Sequence, residues 1–279
     1  MILNIFIIIL IILIISSILF KYINNHVITI NDNFTLNKNG FEIFNLLNQN
    51  EINILNFLWD NNKYNDIKQI IHNNILLLNI IKNKLGDDYI FQDYILLIEK
   101  SRIHTCHRDN NGKMFNKYQK YPSYTIILYI DQMEKCLDVI PNSNKTSNGI
   151  FITDVTSSIK CNSGNIIIFD ANLIHSGSFN IKPNNRRIQM KISHKDDINI
   201  LSYYEKYNKN LNKENNLPNN IINIQKHLSC QFPIVSDIIQ PLVSNATYYK
   251  NNNEIPLYQK IFSKIFYGDK NHYNLSNII

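Results

Sequence analysis

Two histidines and one aspartate carry the most readily interpreted chemistry in this sequence. His107 and Asp109 stand two apart, and His175 follows 66 positions after the aspartate. Neutral imidazoles and a carboxylate bind divalent metals, and two His with one carboxylate on one face of the ion leave its other positions open, the arrangement of non-haem Fe(II) oxygen chemistry. If residues 101–109 are extended, side chains alternate, so Ile103, Thr105, His107 and Asp109 share one face. Arg102, His104, Cys106 and Arg108 share the other, which makes His104 a surface or second-layer residue rather than a ligand. A His-x-Asp pair is common by chance. The second half of the pattern gives it weight.

That half runs from a turn at Gly164 through an apolar strand, Ile166-Ile167-Ile168-Phe169, to Asp170 and then His175, just before the turn Ser176-Gly177-Ser178. Eleven positions after His175 stands Arg186, beside Arg187. Arg186, Ile188, Met190 and Ile192 share one face of an extended strand, and Arg187, Gln189, Lys191 and Ser193 the other. The first set is apolar apart from its arginine, which predicts that Arg186 faces the core. A buried guanidinium needs an anion. A carboxylate of a bound cosubstrate would satisfy it through charge-assisted bonds of about 1.5 to 3 kcal/mol each, and a structural ion pair to Asp170 or another acid is the alternative.

The elements that must position these groups are strands. Short apolar runs bounded by turn residues occur at 94–98, 103–105, 124–130, 137–140, 150–152, 166–169 and 188–192. This spacing predicts a many-stranded sandwich or barrel rather than alternating βαβ units. Before them come a short strand near 27–30 and two helices, 51–59 and 66–85. The second carries Ile67, Ile70, Ile71, Ile75, Leu78, Ile81 and Leu85 at helical spacing and stops at Gly86. His72 on that helix is expected at the surface. After Asp197 the chain reads as irregular and helical, with Ile221 to Leu228 as one helix and Ile261, Phe262, Ile265 and Phe266 as a buried stripe of another.

Composition sets the outer limits. The 279 residues, 44% hydrophobic, allow one catalytic domain with additions. Net charge is +6 with dispersed basic residues, which gives no indication of nucleic acid binding. Residues 1–20 contain only Asn4, Ser16 and Ser17 as polar side chains, long enough as a helix to cross a bilayer. A membrane anchor is favoured over a cleaved signal peptide, because no basic n-region or small-residue cleavage site accompanies the segment. Lys21 after the span leans toward a cytoplasmic catalytic domain. Sequons at Asn33, Asn144, Asn245 and Asn274 are expected by chance in so Asn-rich a chain. Cys106, Cys136, Cys161 and Cys230 form no CxxC pair, which leaves their redox state and roles open.

The order of these motifs resembles the Fe(II)- and 2-oxoglutarate-dependent dioxygenases, most nearly their phytanoyl-CoA hydroxylase-like branch. His107-x-Asp109 is followed by Tyr124-Thr125-Ile126-Ile127-Leu128-Tyr129-Ile130, then 136–143, then 164–170, His175 and Arg186, over about residues 89–193. The resemblance implies a double-stranded β-helix (jelly-roll) core, which together with the periodicity above gives a mostly β fold with flanking helices, and the apolar run over 1–20 adds an N-terminal transmembrane helix. It implies His107, Asp109 and His175 as iron ligands, Arg186 and Ser178 as binders of 2-oxoglutarate, and O2 as cosubstrate. The expected reaction is hydroxylation of a lipid, acyl or protein side-chain substrate, with 2-oxoglutarate converted to succinate. One departure is 140–145, Ile-Pro-Asn-Ser-Asn-Lys, which lacks the Gly and His of the family's usual Pro-Gly-Ser-His turn. The expected organisation is an anchor over 1–21, a helical support region over 22–88, the catalytic core over 89–197 and a helical cover over 198–279. A non-catalytic β-helix binding module, or a cupin-type metal hydrolase or isomerase, are the other readings; oligomeric state has no signature in the sequence.

Overall fold

The computed structural model describes residues 7–8, 11–12, 15, 23–100, 105–109, 119–145, 156–178, 185–198, 207–211, 217–233, 257, 260–261, 264–265 and 268, with backbone alone for 23–26, 94 and 207–211. Its strands form two facing sheets. The smaller has the order β1 (Ile23–Ile28), β7 (Thr156–Cys161), β6 (Met133–Val139), β9 (His175–Gly177). The larger has the order β11 (Tyr207–Leu211), β4 (Tyr94–Ile98), β10 (Arg187–His194), β5 (Tyr124–Tyr129), β8 (Asn165–Asp170), β2 (Phe41–Asn45), and β3 (Tyr89–Phe91) also pairs with β10. His107 joins the smaller sheet through a bridge to His175. From β4 to β10 the chain therefore passes from larger to smaller sheet and back, the winding of a jelly roll built as a double-stranded β-helix.

Both faces of the larger sheet are covered, which explains why β8 is an unbroken apolar run. Ile166 and Ile168 pack outward with Ile126, Leu128, Ile188 and Met190 against helical residues such as Leu55, Trp59 and Ile67. Ile167 and Phe169 pack inward with Phe41, Ile127, Leu137 and Val139, between the sheets. The helices on the outer face are α2 (Gln49–Asp60), α3 (Tyr64–His72) and α4 (Ile75–Leu85), following a single turn, α1 (Leu36–Asn39). Asn48 and Glu51 close a capping box at the start of α2.

Several expectations change here. The helix anticipated over 66–85 is two helices, because the Asn74 side chain accepts from the Leu77 N–H at 2.9 Å and caps a new start. His72, expected at the surface, stacks on Phe91 at 4.4 Å, and its Nε2 is buried without a partner. Burial pulls its pKa down to about 4. The region anticipated as helical support also supplies β1 and β2, and the one anticipated as helical cover supplies β11, parallel to β4. The helix expected over 221–228 is present as α5 (Asn219–Gln231). Ile261 and Ile265, expected in a buried stripe, are helical and exposed, while Phe262 and Phe266 lie outside the described residues. Of the N-terminal segment, Ile7, Ile8, Ile11, Ile12 and Ile15 are helical and exposed, and the rest lies outside the described residues. Among the described residues no helix is long and apolar enough to cross a membrane.

The structure also gives the cysteines distinct states. Cys106 and Cys230 are joined in a disulfide across a sequence separation of 124, while Cys136 and Cys161 are buried free thiols with their sulfurs 3.1 Å apart. In the chain-entropy account a loop of that length restricts the unfolded state by about 5 kcal/mol.

One turn depends on glycine. Gly164 has φ +83°, receives the Leu46 and Leu47 N–H groups on its carbonyl and donates to Tyr129 O, joining the α2 entry to β5 and β8. A Cβ there would stand 2.3 Å from Leu47 O, a backbone atom. Gly164→Ala is expected to destabilise the fold by about 3 kcal/mol, left-handed strain and overlap together, readable as a lowered midpoint in urea; an unchanged midpoint would mean that the turn is not as described.

Candidate metal centre

The centre is assembled by the smaller sheet and completed by the larger. His107 and His175 face each other as an antiparallel pair, with His107 N–H on His175 O at 2.9 Å and His175 N–H on His107 O at 3.0 Å. Their rings lie 4.4 Å apart. Each Nδ1 meets the carbonyl two residues earlier, Thr105 O for His107 and Leu173 O for His175, both at 2.9 Å. A carbonyl can only accept, so each Nδ1 carries the proton and each Nε2 offers its lone pair, the tautomer a metal ligand needs.

Both lone pairs converge on one oxygen. Asp109 Oδ1 lies 3.5 Å from His107 Nε2 and 3.6 Å from His175 Nε2, and a donor atom from each of the three residues falls within a 4.8 Å span. Ligands about 2.1 Å from an ion and at right angles stand about 3 Å apart, so a bound ion would draw these groups in by about half an ångström. The other oxygen, Oδ2, accepts from Thr125 Oγ1 on β5. Lys191 Nζ, from β10, donates to Asp109 O at 3.1 Å. Donor type, tautomer and convergence all fit a divalent metal.

Charge follows the same pattern. Burial opposes ionisation of Asp109, yet Lys191, His175 and His107 outweigh it and hold the carboxyl well below the usual carboxylate range. His175 is pulled down to about 4 by burial and by His107. An anionic carboxylate and a neutral imidazole are the protonation states that bind metal at neutral pH.

The larger sheet corrects the expectation for the arginines. The alternation along β10 is as anticipated, but the apolar face of Ile188, Met190 and Ile192 belongs to the cluster under the helices, not to the barrel interior. Arg186 accordingly reaches outward. It pairs with Asp60, bonds Asn56 Oδ1 at 3.0 Å and lies over the Trp59 ring, 5.6 Å from its centroid. The structural ion pair is thus the arrangement that the chain adopts at Arg186. Arg187 is the inward arginine: it sits opposite Tyr129, whose ring belongs to the core between the sheets, and Lys191 sits opposite Thr125.

Arg187 is 6% exposed and donates to Asn185 O at 3.2 Å, and among the described residues no carboxylate pairs with it. Burial lowers its pKa. The Tyr129 hydroxyl is buried beside the Cys136 and Cys161 thiols, and burial, then these neighbours, raise its pKa well above its ordinary value, so it is a neutral donor. Ser178 does not join this group. It lies on the outer face of the smaller sheet, where it donates to Asp138 Oδ1 at 2.6 Å beside Ser158 and Lys226. The turn expected at 176–178 is instead strand β9 over 175–177, whose alternation puts 178 out of phase with the inward positions His175 and Gly177. His104 lies outside the described residues.

Thr125, Tyr129, Arg187 and Lys191 were not anticipated at the site. The signal that could have found them is the polar alternation Arg187, Gln189, Lys191, Ser193 inside a strand preceded by amphipathic helices. Those helices need an apolar face to cover, which leaves the polar face to the interior.

No family model matches the sequence, and no curated protein matches it. Among solved structures, it is similar to HygX from Streptomyces hygroscopicus with nickel and 2-oxoglutarate bound, at 11% identity over 57% of this chain and 84% of that chain, TM-score 0.45. It is similar to the non-haem α-ketoglutarate-dependent epimerase SnoN from nogalamycin biosynthesis at 12% identity, over 57% and 79%, TM-score 0.45. It is also similar to EvdO2 from Micromonospora carbonacea var. aurantiaca complexed with 2-oxoglutarate, at 11% identity over 56% and 86%, TM-score 0.43. Likenesses of this size carry no argument about what this chain binds or does.

The low pKa of His175 has a consequence for the metal-free protein. Between pH 6.5 and about 4 the unfolded chain takes up a proton that folded His175 refuses, so stability falls as pH falls through that window. The contribution is about 3 kcal/mol. His72 acts in the same window, so the comparison that isolates His175 is wild type against His175→Asn in urea at pH 7 and pH 4.5. The variant is expected to lose less stability on acidification; an equal loss would contradict the assignment.

Proposed function

We propose that this chain is a membrane-anchored oxygenase dependent on Fe(II), 2-oxoglutarate and O2, hydroxylating a lipid, acyl or protein side-chain substrate while 2-oxoglutarate is converted to succinate and CO2. One observation carries the reading. On one inner wall, a three-donor centre of His107, Asp109 and His175 adjoins a strand whose next inward cation, Arg187, is buried opposite the buried Tyr129. Arg187 stands four residues along β10 from Lys191, about 13 Å of strand, a gap that an extended arginine and a five-carbon dicarboxylate can close. The order of the motifs supports placing the chain nearest the phytanoyl-CoA hydroxylase-like branch.

Bound together, iron and 2-oxoglutarate would supply an oxidant made from O2, chemistry that belongs to the cofactors. The chain's part is to bind, orient and exclude. His107 and His175 present Nε2 because their Nδ1 protons are held by carbonyls. Thr125 holds one oxygen of Asp109 and turns the other to the centre. Arg187 and Tyr129 would grip the far carboxylate of the dianion. Phe169, 4.6 Å from the His175 ring, and Ile127 and Ile167 keep water from the wall beside it.

A cupin-type hydrolase or isomerase would use the metal but gives Arg187 no task, and a non-catalytic module needs neither. The deciding assay is succinate formation from 2-oxoglutarate with added Fe(II). Wild type is expected to turn over and His107→Ala to bind no metal. Arg187→Met is expected to weaken 2-oxoglutarate binding by about a hundredfold or more, from two charge-assisted bonds, whereas Arg186→Met leaves it within about threefold. Metal binding without 2-oxoglutarate binding would favour the cupin reading; no metal binding would favour the module.

The anchor proposal rests on the apolar run over residues 1–20. Lys21 argues for a cytoplasmic domain, but the Cys106–Cys230 disulfide supports the opposite side, since disulfides persist in oxidising compartments. We favour the disulfide over a single lysine. In sealed vesicles with the cytoplasmic face outward, protease is expected to spare the catalytic domain; digestion without detergent would reverse the orientation.

A further inference from the structure

We propose that α5 is the positioning device of the metal centre, holding both histidine-bearing segments from behind through a disulfide and a buried ion pair. The inference rests on the reading of His107 and His175 as metal ligands. It starts from a weakness in the barrel: among the described residues, His107 meets the sheet only through its isolated bridge to His175, a matter of two backbone hydrogen bonds.

Thr125, Lys191 and Arg108 hold the segment around His107 from the sheets and from the chain before His175, and α5 holds it from behind. Ile222, Lys226, Ser229 and Cys230, at i, i+4, i+7 and i+8, lie buried on one side of the helix, and Gln231 at its end is buried as well. Cys230 is bonded to Cys106, the residue immediately before His107. Ser229 Oγ accepts the Cys106 N–H at 2.8 Å and donates to Lys226 O at 2.8 Å. One turn back, Lys226 pairs with Asp138 on β6 and donates to Gly177 O on β9 at 3.3 Å. Asp138 stands opposite Ser176, the residue after His175. Ile174, the residue before His175, packs with Cys106 and Cys230 in a single buried cluster completed by Ile140.

The two histidine segments are therefore gripped in the same way. The side chain before each ligand, Cys106 or Ile174, points away from the centre into α5, while the ligand points inward. Strand alternation turns the position of α5 into the position of both rings. The contacts of α5 fall on Cys106, Asp138, Gly177 and Ile174 rather than on the donor groups, so its residues act through the segments they hold. Ser158 and Ser178 complete the anchorage on the Asp138 carboxylate, which gives Ser178 a place in the support of the site rather than on a cosubstrate.

The test uses the full chain produced under oxidising conditions. Peptide mapping without reductant is expected to recover Cys106 cross-linked to Cys230, with Cys136 and Cys161 alkylated as free thiols after denaturation. Fe(II) and Co(II) dissociation constants are then compared, well below the unfolding midpoint, for wild type, Cys230→Ser and Ser229→Ala. Cys230→Ser is expected to bind ten- to a hundredfold more weakly, the usual effect of losing a group that orients a ligand, and to shift the visible spectrum of the Co(II)-loaded protein at saturating metal. Ser229→Ala keeps the disulfide and is expected to weaken binding severalfold, so it decides the matter should Cys230→Ser fail to fold. Unchanged affinity and spectrum in the variants, or a map without the cross-link, would overturn the inference while leaving the metal reading intact. A wild type that binds no metal would overturn both.

Discussion

The carboxylate of Asp109 is buried between two sheets and remains charged, and the rest of the centre is arranged around that fact. An isolated carboxylate in such a place costs several kcal/mol. Here Thr125 holds one oxygen and Lys191 brings a cation to the backbone beside it. The second oxygen faces the Nε2 atoms of His107 and His175 at 3.5 and 3.6 Å. Three donor groups that converge in this way suit a divalent ion. The same inward wall carries Arg187, which among the described residues pairs with no carboxylate, and the buried neutral Tyr129 hydroxyl opposite it. The interior thus brings three metal-donor groups together and, four residues along β10 from Lys191, a buried guanidinium, which is the arrangement that the proposed metal and dicarboxylate would need.

This arrangement depends on helices that never approach the metal. α2, α3 and α4 cover the outer face of the larger sheet, which lets β10 be apolar outside and polar inside. A two-sheet protein without that cover would need the reverse. On the opposite side α5 covers the smaller sheet with one stripe, and the disulfide and the Lys226–Asp138 pair join its position to that of the histidines.

The strands were legible because short apolar runs bounded by turn residues survive even a compositionally biased chain; β4, β5, β8 and β10 fall on anticipated runs and β6 overlaps one at its end, β7 was not anticipated, and the run at 150–152 lies outside the described residues. The convergence of His107, Asp109 and His175 followed from parity within one segment and from strand order. Parity also separated Arg186 from Arg187 correctly, but it could not say which face was inside. That is a tertiary property: it depends on whether helices or the second sheet cover the apolar side. The split of the helix at Asn74 was hidden for a different reason, since the hydrophobic spacing continues through the break and only the side-chain cap interrupts it. The disulfide was beyond reach as well, because a separation of 124 residues has no local signature.

The central claim is that one barrel interior holds a metal on His107, Asp109 and His175 and a dicarboxylate between that metal and Arg187. A crystal structure of the chain with Mn(II) and an unreactive 2-oxoglutarate analogue, grown without O2, tests it most directly. The account predicts metal density on His107 Nε2, Asp109 Oδ1 and His175 Nε2, with the far carboxylate on Arg187 and Tyr129. Metal elsewhere, or an analogue bound at Arg186 or outside the barrel, would contradict it.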